Sequence, residues 1–198
     1  MAILKIARMG HPVLMQRAEP VADPSAPEIR RLVADMIETM EDANGAGLAA
    51  PQVHVPLRLF VFRVLPARSS GLPDDGPLDV QVVINPRVTP DGEALARDWE
   101  GCLSIPGLRA EVPRPARITY AGVDPDGATF SRLAAGFHAR VVQHENDHLD
   151  GILYTMRLDD FSRFGFNEEV ARFADRTAPT QPASSIAPAE ESGRSRPS

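Results

Sequence analysis

The run Gln143-His144-Glu145-Asn146-Asp147-His148 sets two imidazoles four residues apart, with a carboxylate beside the first. On an α-helix that spacing puts both histidines on one face, where they can ligate a single metal ion. Glu145 would then stand where it can handle the proton of a metal-bound water, which is the chemistry of a metal hydrolase. The competing reading is a pair of core histidines satisfied by hydrogen bonds. Two histidines also leave an ion under-coordinated, so a third ligand must come from elsewhere in the chain.

Two residues compete for that position. Cys102, in Trp99-Glu100-Gly101-Cys102-Leu103-Ser104-Ile105-Pro106, is the only cysteine. A lone thiol is more often a small buried hydrophobe, but as a thiolate it is a strong, soft ligand whose pKa a bound metal lowers. Glu168 lies twenty residues beyond His148, a spacing that resembles the thermolysin-type zinc metalloproteases, whose third ligand is a glutamate on a later helix. Spacing alone leaves both open.

The elements that must position these groups are legible in outline. Phe137, Val141, His144 and His148 follow one another at helical intervals, so a helix is expected over about 135–150, with Gly151 as its left-handed cap. A first amphipathic helix is expected over 25–43, capped by Ser25 with Glu28, opened by Pro27 and closed by Asn44-Gly45. Residues 57–64 are apolar on both faces apart from Arg58 and Arg63 and read as a buried strand. Residues 80–84 read as another, stopped by Asn85-Pro86. Asp91-Gly92 and Asp124-Pro125-Asp126-Gly127 are hairpin-type turn signals, the second joining strands at 117–123 and about 128–133.

Residues 66–79, rich in Pro, Gly, Ser and Asp, are expected to form a mobile surface loop, and a last helix is expected near 159–173. Strands and helices do not alternate regularly. The expected class is therefore α+β: a compact single domain with mostly antiparallel sheets around a central metal-binding helix, an N-terminal scaffold helix and a C-terminal helix.

Bulk properties narrow the function. At 198 residues the chain suits one domain with a real core. A net charge of −6 gives no electrostatic case for nucleic acid as a partner. No apolar run approaches the roughly 20 residues that span a bilayer, and the first residues lack a signal peptide's apolar stretch. One cysteine excludes an internal disulfide and suits a cytoplasmic setting. The catalytic domain is expected over 1–176. Residues 177–198 hold four prolines, five serines and one large aliphatic residue, and are expected to be a disordered tail.

Three segments, in order, resemble the signature motifs of the peptide deformylases: Gly45-Ala46-Gly47-Leu48-Ala49-Ala50-Pro51-Gln52, Glu100-Gly101-Cys102-Leu103-Ser104, and Gln143-His144-Glu145-Asn146-Asp147-His148-Leu149. The likeness runs from about Ile6 to Leu158. It implies that Cys102, His144 and His148 bind one divalent metal, usually Fe²⁺ with Zn²⁺, Ni²⁺ or Co²⁺ as substitutes. It implies removal of the formyl group from N-formyl-methionyl nascent polypeptides near the ribosome, releasing formate. By the same resemblance Glu145 is general base and acid, and Gln52 with the backbone N–H of Leu103 stabilises the oxyanion. Position 46 lines the methionine pocket, where the family usually carries Ile or Val; Ala46 implies a roomier wall. Arg109 and Arg114 match basic positions of the family that support the site and substrate region.

The residues agree with this chemistry. Amide hydrolysis needs an activated water, a donor where negative charge develops, and a proton carrier to the leaving amine. Gly45, Gly47 and Gly101 allow close backbone approach, so an extended peptide could pair there as a strand. His11, His54 and His138 match no ligand position and read as structural or exposed. Two other functions stay in play: a zinc endopeptidase using Glu168, and a module that binds peptide N-termini without turnover.

Overall fold

The computed structural model describes residues 2–173; the expected tail lies outside them. Its first helix, α1 (Pro27–Asp42), begins at a proline preorganised for the first turn. The expected Ser25 cap does not form, because the Ser25 hydroxyl donates to Asp23 Oδ1 at 2.7 Å instead and Ala26 occupies the capping position. At the far end Asn44 takes a left-handed φ of 53°, and the N–H of Gly45 donates to Met40 O, closing the helix as expected.

Eight strands follow: β1 (Gly47–Ala49), β2 (Leu59–Val64), β3 (Leu78–Pro90), β4 (Leu95–Cys102), β5 (Ile105–Pro115), β6 (Arg117–Val123), β7 (Thr129–Ala135) and β8 (Phe164–Phe166). They make two antiparallel sheets, β1-β2-β3-β6-β7 and β4-β5-β8. Helix α2 (Gly136–Leu149) follows β7, and α3 (Asn167–Phe173) follows β8. The α+β class and the antiparallel sheets are those the sequence predicts.

Strand β2 explains the layering. Leu59 and Val61 face one side with Met36 and Met40 of α1, while Phe60, Phe62 and Val64 face the other with Ala139 and Val142 of α2. Each fully buried large side chain of this strand contributes roughly 1.5–3 kcal/mol. A third apolar cluster, from Leu14 through Ala110 and Val112 to Tyr154, lies beneath the smaller sheet. Eleven of the fourteen residues of α2 are buried, so this helix is a central shaft between the sheets rather than a surface helix with one apolar stripe.

Several expectations are corrected. Strand β3 runs through Asn85-Pro86: Asn85 takes a φ of 52°, the register shifts there, and its side-chain amide bonds both backbone groups of Val21. Asp91-Gly92 is a turn between sheets and not a hairpin, since β3 pairs with β6 and β4 with β5. The expected helix at 159–173 is only α3, because Phe164–Phe166 pairs with Leu108–Ala110 of β5. Between β2 and β3 most residues are exposed, but Asp75 is buried and accepts from Ser70 N–H and from His138 N–H at the open end of α2. Gly136, at φ +52°, is required there, since a Cβ would lie 2.3 Å from Asp75 Oδ2.

Candidate metal centre

Each functional side chain is delivered by a different kind of element. Cys102 ends β4 at the tight turn into β5, where it pairs with Ile105. His144 and His148 lie one turn apart on α2, with ring centres 5.1 Å apart. Gln52 sits in a 3-10 turn, Ala50–Val53, directly after β1. The potential ligand atoms of Cys102, His144 and His148 all lie within 4.8 Å of one another, the one such trio found among the described residues. Glu168 is exposed on α3 and outside it. The endopeptidase ligand set is therefore not assembled.

Hydrogen bonding fixes how these groups face. His144 Nδ1 lies 2.9 Å from Glu100 Oε2. An ionised carboxylate only accepts, so Nδ1 carries the proton and Nε2 keeps the lone pair a metal needs. Tyr154 stacks on the same ring at 6.0 Å. Cys102 Sγ lies 3.3 Å from His148 Nε2, and the N–H of Ser104 donates to the sulfur at 3.4 Å. Burial alone would push the Cys102 thiol up, but the His148 and His144 imidazoles outweigh it and hold it well below the usual thiol range. A thiolate and two imidazoles, one with an outer carboxylate partner, fit a divalent transition metal.

Gln52 is buried and cannot flip. Its Oε1 accepts from the N–H of Ala49 at 2.8 Å, which leaves Nε2 to donate to Ser104 Oγ at 3.1 Å and toward Cys102 Sγ at 3.5 Å. Glu145 lies against β1: a Cβ on Gly47 would come within 2.3 Å of Glu145 Oε1. The glycine is thus needed for the glutamate, a tighter reason than approach of a peptide. Gly101 has no such constraint, its nearest neighbour being Leu108 O at 3.6 Å. With only protein neighbours, burial pushes the Glu145 carboxyl up to about 7 against the lowering pull of His144 and His148.

A cavity of about 480 Å³ opens over these groups. Gly45, Ala46, Gly47, Gly101, Leu103 and Arg109 all border it, so every residue expected near substrate reaches one cleft. Arg109 is held by Asn167 Oδ1 at 2.8 Å. Arg114 is buried and remote from any solvent role: it donates twice to Glu100, at 2.5 and 2.9 Å, and once to Asp147 at 2.8 Å. Burial would raise Glu100, yet Arg114 and His144 hold it far below the carboxylate range. His138 is buried, while His11 and His54 are exposed. Glu100 and Asp147 escaped the sequence reading, although Glu100 is two residues before Cys102 on a strand and so shares its face.

Comparison with known proteins gives the family. The Polypeptide deformylase family model matches residues 3–164. The chain is 49% identical over 166 residues to peptide deformylase 2 of Ralstonia nicotianae, covering 84% of this chain and 93% of that protein. It has the same identity and coverages with peptide deformylase 1 of Nitrosomonas europaea. A Met-Ala-Ser-bound class I type b peptide deformylase from Acinetobacter baumannii superposes with a TM-score of 0.72 at 32% identity, over 79% of this chain and 98% of that chain. The chain belongs to the polypeptide deformylase family, metal-dependent hydrolases whose general reaction is deformylation of N-formyl-methionine peptides.

Proposed function

We propose that residues 1–176 form a catalytic domain that removes the formyl group from N-formyl-methionyl nascent polypeptides near the ribosome, in the cytoplasm, and releases formate. The observation that carries this reading is the convergence of Cys102, His144 and His148 within 4.8 Å, beside buried Gln52 and Glu145, in one cleft. No helix among the described residues is long and apolar enough to cross a membrane.

Cys102, His144 and His148 would hold the metal, for which Fe²⁺ is proposed, with Zn²⁺, Ni²⁺ or Co²⁺ as substitutes that the same donor set accepts. When bound, it supplies Lewis acidity that activates water and polarises the formyl carbonyl. Gln52 Nε2 and the N–H of Leu103 donate to the oxygen that becomes anionic. Glu145, buried beside His144, takes up a proton and delivers it to the leaving amine. Gly45, Ala46, Gly47, Gly101 and Arg109 line the path for the peptide, and Ala46 leaves room beside the methionine side chain. Glu145→Gln should retain metal and lose about 10²–10⁴ in formate release from a formyl-Met peptide. Undiminished release would remove Glu145 from the reaction.

A further inference from the structure

We propose that Arg140 is a positioning residue for the metal centre: it holds the Glu100 oxygen that His144 does not use and so helps fix the carboxylate that orients that ligand. The inference rests on the reading that Cys102, His144 and His148 hold a metal.

Arg140 lies four residues before His144, so both side chains leave one face of α2. A buried arginine demands partners, and Arg140 finds them on two strands and one carboxylate. Nη1 donates to Glu100 Oε1 at 2.7 Å and to Val112 O at 2.9 Å, and Nη2 donates to Ala96 O at 2.9 Å. One guanidinium thereby ties α2 to both strands of the hairpin that carries Cys102.

Arg140 is also needed for charge. Arg114 is shared between two buried carboxylates, Glu100 and Asp147. Arg157 reaches Asp147 from the solvent side, with its own side chain 44% exposed. Arg140 makes the corresponding second contact on Glu100 from within. Without it, Glu100 keeps the two-pronged Arg114 contact but loses its tie to the Arg140 end of α2, so the fork can shift as a unit relative to His144 Nδ1. Loss of an outer partner of a metal ligand typically weakens metal binding 10–100-fold. Arg140 acts one bond further out, so about tenfold is expected.

The test is Co²⁺ binding by purified full-length protein, read two ways: the dissociation constant by chelator competition, and the absorption of the Co²⁺-loaded protein. Arg140→Met, of similar length but apolar, should weaken binding about tenfold and shift the ligand-field bands. Arg140→Lys keeps one donor for Glu100 and should fall between Arg140→Met and the unmodified protein. A tether without influence on the ligands would lower the melting temperature while leaving affinity and spectrum unchanged, and that result overturns the proposal. If Arg140→Met does not fold, Arg140→Lys decides by the same readouts, unchanged values again overturning it. Absence of a thiolate-to-Co²⁺ band in the unmodified protein would instead sink the metal reading on which the inference stands.

Discussion

Gly47→Ala is the smallest change that should disable the centre without replacing a proposed ligand or the proposed proton carrier. Gly47 is buried in β1, paired with Phe62. A methyl group there would sit 2.3, 2.6 and 2.7 Å from Oε1, Cδ and Cγ of Glu145. All three are far inside van der Waals contact, and the inclusion of Cγ means that rotating the carboxylate alone does not relieve the clash. Either β1 moves or the whole Glu145 side chain does. Overpacking of this kind costs about 1–3 kcal/mol, which leaves most small domains folded. Displacing Glu145 forfeits proton transfer, worth about 10²–10⁴ in rate. The assay pairs kcat/KM for formate release with a denaturation midpoint and metal content. Gly101→Ala is the control: its nearest contact is 3.6 Å, so stability should stay within about 0.5 kcal/mol. If Gly47→Ala keeps kcat/KM within about twofold, Glu145 does not work from the position described.

Three further predictions follow the same geometry. Gln52→Leu removes the fixed Nε2 donor and should lower kcat by about 10²–10³ with metal retained; a fall of only about twofold would exclude Gln52 as an oxyanion donor. Arg114→Met removes the buried cation shared by Glu100 and Asp147, leaving them to Arg140 and Arg157; urea titration should register about 3 kcal/mol of lost stability, whereas a loss under about 1 kcal/mol would mean the buried network is not coupled to folding. His138, enclosed by Phe62 and bonded to the Tyr120 hydroxyl at 3.0 Å, has its pKa lowered by burial. Below about pH 6.5 the unfolded chain therefore takes up a proton that the folded ring resists, so its contribution is full above that pH and is lost as pH falls through the folded pKa. The stability advantage over His138→Gln should shrink as the pH is lowered from about 7.5 to about 5, and a constant difference would refute it.

The two long helices and the both-faces-buried β2 were legible because apolar periodicity is a direct consequence of burial. The smaller sheet was not. In β5 the inward positions are Ala110, Val112 and Arg114, and the period of two is interrupted by a charge whose partner, Glu100, lies on β4. Prolines at 113 and 115 further disguise the strand, yet both fit an edge-like position beside β4. The C-terminal helix was overextended because Phe164–Phe166 is held by pairing with β5, a contact that local sequence does not carry. At the site, the proposed ligands follow motif and helical spacing, while Glu100 and Arg114, which surround them, come from the hairpin of β4 and β5. Arg140 and Asp147 were nonetheless within reach: they flank His144 at four and three residues on the helix, the spacings that share its face.

On the proposed function, this cleft releases formate from a formyl-Met peptide only when Cys102, His144 and His148 hold a metal. The direct measurement is formate production by anaerobically purified protein, before chelation, after it, and after restoring Fe²⁺, Co²⁺ or Ni²⁺, with Cys102→Ala alongside. Release should disappear with the metal, return with it, and be absent in Cys102→Ala. Release that survives chelation, or Cys102→Ala protein that keeps both metal and turnover, would contradict it.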